Sequence, residues 1–240
     1  MTALLNSRIT IFLLCGLLPT IVFGQTPELE DWNAKFQATY VWQTKGAFTA
    51  AYSGPNSLSA SHEKSYSFTT TAAFGFRPWV GGEIYFDPEA AQGIPLSNLT
   101  GLGGFTNGEI ARTAGPTLTC YRARLFLRQT WGLGGGTEAV ESEANQLAGI
   151  VDKRRWVLTA GNFSVIDLFD ANAYSHDPRT QFLNWSLMTY GAYDYAADSR
   201  GYSWGGALEY FDDGWAIRAG RFIQPKEPNQ LALDSDTAAE

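Results

Sequence analysis

Reactive side chains are few in this chain and poorly spaced for catalysis. It has two histidines, His62 and His176, far apart in sequence, and two cysteines, Cys15 and Cys120. No HExxH or CxxC pattern occurs, so the usual spacings of a zinc protease or a dithiol site are missing. His176-Asp177 beside Ser175 supplies the residue types of a triad, but neighbours in an extended loop do not point at one another. Asp167 and Asp170 could act as the paired carboxylates of glycoside hydrolysis; a polar network that folds the segment is the simpler reading. The expectation is no catalytic residue, no metal and no cofactor.

These polar groups concentrate in one stretch, 161–198. It holds Asp167, Asp170, Asn172, His176, Asp177 and Arg179 between two candidate strands, 156–163 and 186–196. The segment is too long for a hairpin turn and too rich in donors and acceptors for a passive connector. Elements with a period of two must position it. Ala34, Phe36, Ala38, Tyr40 and Trp42 alternate with Lys35, Gln37, Thr39 and Gln43. A second strand alternates over 65–77 and a third over 80–87, with Glu83 and Asp87 on its polar face. The segment 88–116 has no sustained period and reads as a surface loop.

The fourth strand, 117–132, puts Tyr121, Ala123, Leu125, Leu127 and Trp131 on one face and Arg122, Arg124, Phe126 and Arg128 on the other. An arginine facing lipid near the bilayer midplane costs about 2–4 kcal/mol, so the arginines are expected to face a wet interior. A polar connector, 132–155, ends in Lys153-Arg154-Arg155 and leads to a fifth strand. A sixth strand over 186–196 carries Asp194; a seventh follows at 202–211 with Glu209, and an eighth at 215–220 with Arg218. The 132–155 connector and the short 212–214 turn break an otherwise regular alternation of long and short connections.

Residues 1–24 have the form of a secretory signal peptide: Arg8, the apolar run 9–18, then a cleavage site before Gln25. Its removal leaves 16 basic against 24 acidic residues, a poor balance for nucleic-acid binding. Cys120 then stands alone, so no intramolecular disulfide is possible. Mean hydropathy is −0.17, a value that alternating barrel strands share with soluble proteins.

The motifs DLFDANAYSHDPRTQFLNW, YRARLFLRQTWGLGG and GWAIRAGRFIQPKEPN resemble the carbohydrate-selective porins, the OprB-like family of bacterial outer membranes, and the similarity extends from Trp32 to Leu233. The resemblance implies an all-β, transmembrane antiparallel β-barrel over 25–240 in the outer membrane. Mono- or oligosaccharides would pass through it passively, with lipid outside and self-association open. About eight strands are expected here, against sixteen in the family, so the chain is expected to be the N-terminal part of a barrel. Lys35, Glu83, Asp87, Arg122, Arg124, Arg128, Asp194, Glu209 and Arg218 become pore-lining candidates. Asp167, Asp170, Asn172, His176, Asp177 and Arg179 become candidates for a constriction loop. A secreted β-sandwich that binds carbohydrate is the competing fold, and an outer-membrane barrel enzyme the competing activity.

Overall fold

The computed structural model describes residues 28–110, 115–170, 172–188 and 195–238. The expected signal peptide and Asp194 lie outside them. The described residues form nine strands: β1 (Trp32–Lys45), β2 (Glu63–Trp79), β3 (Gly82–Ile94), β4 (Thr119–Gly132), β5 (Thr137–Val140), β6 (Gly149–Asp152), β7 (Arg155–Phe163), β8 (Ser203–Asp212) and β9 (Trp215–Phe222). Seven pair in the order β1-β2-β3-β4-β7-β8-β9, every neighbour antiparallel, while β5 and β6 make a separate hairpin. A sandwich of two large sheets is not found among the described residues. No helix there is long and apolar enough to cross a membrane.

The two faces of the large sheet differ as the alternation requires. On one face, Phe36, Tyr40 and Trp42 of β1 oppose Ala72, Phe68 and Tyr66 of β2. Phe74 and Phe86 pair next to them, and Leu208 and Tyr210 extend the same face further along. These side chains are exposed or half-buried, Phe36 to 74% and Tyr40 to 63%. The other face is covered by loops: Ser65, Ser67, Thr69 and Thr71 of β2 and Asp87 and Glu89 of β3 are all buried. We call the two the outer and the covered face.

The expected sixth strand, 186–196, does not separate β7 from β8, and residues 189–194 of it lie outside the described residues. Residues 185–188 form a helical turn, α2 (Trp185–Met188), and β7 pairs directly with β8. This restores the parity of the connections. The long segments 46–62, 95–118 and 164–202 all leave one end of the sheet, and the two-residue turns 80–81 and 213–214 lie at the other. Gly81 (φ +74°) and Gly214 (φ +84°) supply the left-handed backbone that such tight turns need. The β5–β6 hairpin hangs from the short-turn end.

β3 runs past Pro88, where the sequence suggests a loop. A bulge explains both this and a change of phase on β4. Asp87 opposes Arg124 and Pro88 opposes Arg122, which leaves Ala123 as the extra residue. Proline lacks an N–H and is tolerated within a sheet at such a bulge. The Asn162 side-chain amide donates to the Ala123 carbonyl at 2.8 Å, so the bulged backbone is not left unpaired. Beyond Ala123 the faces exchange. Tyr121 turns to the covered face, and Arg122 to the outer face, correcting the expectation that Arg122 lies beside Arg124.

Candidate functional site

The covered face and its loops enclose a cavity of about 950 Å³. Lys35 and Gln37 reach it from β1, Asp87 and Glu89 from β3, and Arg124 and Arg128 from β4. The long loop after β7 closes over it. That loop opens with α1 (Ile166–Phe169), whose Asp167 accepts from the Ser164 N–H at 3.1 Å. Asp167 then receives two parallel bonds from Arg124, Nε at 2.8 Å and Nη2 at 2.7 Å, the fork geometry that holds carboxylates best. The third nitrogen, Nη1, is 3.4 Å from the buried Asp87.

Arg179 fastens the same loop to the wall. Its Nε donates to Glu109 at 2.6 Å and its Nη2 to Glu89 at 3.1 Å, while Nη1 reaches Gln37 and Thr71 at 3.3 Å. Thr69 also donates to Glu109, and Tyr121 to Glu89. One guanidinium therefore joins the loop after β7, the loop after β3, and strands β1, β2 and β3. Burial pushes the Glu109 carboxyl up, and Arg179 works against that shift. Burial opposes the charge on Arg179, yet Glu109 and Glu89 hold its guanidinium above the ordinary arginine value.

The remaining sequence candidates separate into groups. His176 and Asp177 line the cavity. Asp177 shapes its own turn by accepting from the Arg179 N–H and the Thr180 hydroxyl. Asn172 does likewise through Tyr174 and Ser175 N–H. Asp170 is buried; His176 Nδ1 is 3.3 Å from one of its oxygens. Asn172 and Asp170 thus build the loop without lining the cavity. Glu83 pairs with Arg77 at 2.9 Å, and Glu209 with Arg218 at 2.7 Å, both on the wall outside the cavity lining. Arg122 stacks over Trp204, 5.1 Å from the ring centre, on the outer face.

Glu89, Glu109, Gln37 and Asn145 were not singled out from sequence. Glu89 continues the alternation of Glu83, Tyr85 and Asp87 across Pro88, so a period of two carried through the proline finds it. Glu109 and Asn145 sit in aperiodic loops and carry no local signal. The chain also spells G-x-S-x-G at Gly201–Gly205, the pattern of a hydrolase nucleophile elbow. Ser203 is no elbow. It is fully buried within β8, with its hydroxyl donated to the Ile223 carbonyl. Among the described residues no group of three or more His, Cys, Asp or Glu is placed to hold a metal.

No curated protein and no solved structure matches the chain. A family model described as "Carbohydrate-selective porin, OprB family" matches residues 56–238, a span that includes the cavity wall from β2 to β9 and both loops that Arg179 joins. On that match the chain belongs to the OprB family of carbohydrate-selective porins.

Proposed function

We propose that the seven-stranded sheet is wall of an outer-membrane channel through which mono- or oligosaccharides diffuse down their gradient. Its outer face would meet lipid and its covered face the water-filled passage. One observation carries this reading: a single sheet separates aromatic side chains on the outer face from paired charges around the cavity on the other. Hydroxyl-rich solutes suit such a lining, because guanidinium and carboxylate groups offer fixed donors and acceptors for O–H groups. Lys35, Arg124, Arg128, His176 and Arg179 are the contacts within its reach. A porin converts nothing chemically, so no catalytic residue is called for.

In hydrocarbon an unpaired backbone edge costs several kcal/mol per group. β1 and β9 are the edges of this sheet, so the reading requires further strands to pair with them, from a longer chain or from a second copy. Residues 1–24 would direct export and be removed before Gln25.

The test is swelling of proteoliposomes containing the protein purified from its native membrane. Isotonic glucose and disaccharide should swell them faster than protein-free vesicles. Inserted, protease-protected protein that admits no sugar would overturn the reading.

A further inference from the structure

The hairpin below the sheet does not hang free. Between β5 and β6, residues 141–148 turn back onto the covered face at the short-turn end. Leu147 is 2% exposed and packs with Tyr85, Phe126 and Phe163, one residue from each of three neighbouring strands. Its N–H donates to the Tyr85 hydroxyl at 3.1 Å. An apolar seat on a face otherwise lined with charge has a purpose only if something sits in it, and Leu147 does.

Polar ties fix the tip on both sides of that seat. The Asn33 amide donates to the Glu143 and Gln146 carbonyls at 3.2 and 3.1 Å, and the Ala148 N–H donates to Glu30 at 2.9 Å. That bond holds the Glu30 carboxyl below its ordinary range. Across the sheet, Arg128 donates to the Asn145 carbonyl at 3.0 Å, and the Asn145 amide to Asp87 at 2.9 Å. The tip thus bridges β1 to β3 and β4. Residues 142–146 line the same cavity as Arg124 and Arg179. The loop after β7 meets the tip from the opposite end: Leu168 packs against the same apolar cluster, and Arg124, which holds Asp167, is 3.4 Å from the Asp87 oxygen that Asn145 bonds.

We propose that residues 141–148 form a second constriction of the passage, set from the short-turn end. In this arrangement the two long loops define one narrowing, and the seated tip defines another, with Asn145 and the tip carbonyls as its polar rim. The proposal rests on the passage reading above and adds the element that limits solute size.

Two altered proteins test it. Replacing 141–148 with an Asn-Gly turn removes the tip and keeps the hairpin. Asn33→Cys with Gln146→Cys, in a Cys120→Ser background, locks the tip by a disulfide. Proteoliposome swelling gives the ratio of trisaccharide to monosaccharide entry, and planar bilayers give potassium chloride conductance. Both should rise several-fold in the shortened protein and stay well below that raised level in the locked one. An inserted shortened protein with unchanged ratio and conductance overturns the proposal, as does a locked protein in which both values match those of the shortened one. If the shortened protein does not insert, Leu147→Ser with Asn145→Ala unseats the tip and is judged by the same two values. If the unaltered protein admits no sugar, the passage reading fails, and conductance alone decides whether the tip obstructs the path.

Discussion

Arg179 carries two buried carboxylates, and its loss is felt at both. Removing one partner of a buried pair leaves an uncompensated charge, at a cost of roughly 3–5 kcal/mol. Glu109 and Glu89 are 7% and 6% exposed, so little of that cost is relieved by water. Arg179→Gln should release the loop after β7 from the wall, seen as faster protease cleavage within 172–188; Arg179→Gln with Glu109→Gln should recover much of the protection. The pH dependence has a definite sign. With its carboxyl raised by burial, folded Glu109 binds a proton at a higher pH than it does unfolded. Its ionisation therefore costs stability, a cost absent below the unfolded value and growing as pH rises through the folded one. The deficit of Arg179→Gln should shrink as pH falls from neutral into the acid range. A deficit flat with pH would assign the loss to packing.

The bulge at Ala123 decides which way the β4 side chains point. One extra residue exchanges the faces of everything beyond it. In a Cys120→Ser background, cysteines at Arg124 and Arg128 should react with a water-soluble, membrane-impermeant thiol reagent. A cysteine at Arg122 should be shielded from it in membranes and react after transfer to detergent-free urea. Equal labelling at all three positions would mean that the bulge is absent. On the channel reading, Arg122 lies near the long-loop end of β4, where an outward arginine would cost about 0–1 kcal/mol rather than the midplane penalty.

Most strands were legible in the sequence because alternation is a local property. Tyr40, Phe68 and Leu208 show their face without reference to any partner. The bulge was not legible, because nothing in YRARLF distinguishes a doubled residue from an ordinary one; only pairing with Pro88 defines it. The start of the expected sixth strand differs for the opposite reason: the alternation read from Ser186 onward imitates a strand, whereas residues 185–188 form α2 and β7 pairs directly with β8. The charged loop could be read as a candidate, but the partners that anchor it could not. Arg179 and Glu109 are 70 residues apart, and neither neighbourhood signals the other.

At the scale of the whole molecule, the outer edge of β1 and the outer edge of β9 have no strand partner among the described residues. If further strands complete a wall in the membrane, backbone amides of β1 and β9 should exchange hydrogen as slowly as those of β3 and β4. Amide exchange followed by mass spectrometry on native membrane vesicles measures this directly. Fast exchange confined to the two edge strands would show an open sheet and defeat the channel reading.

The aromatic outer face has a consequence before any membrane is reached. Trp32, Phe36, Tyr40 and Trp42 lie 57–74% exposed along a single strand, and the neighbouring strands extend the patch. A contiguous apolar surface of this kind is an aggregation liability in water, and slow pairing of long antiparallel strands prolongs its exposure. If this face ends against lipid, as proposed, the polypeptide would need an escort in water that shields the surface and gives it up only at the bilayer.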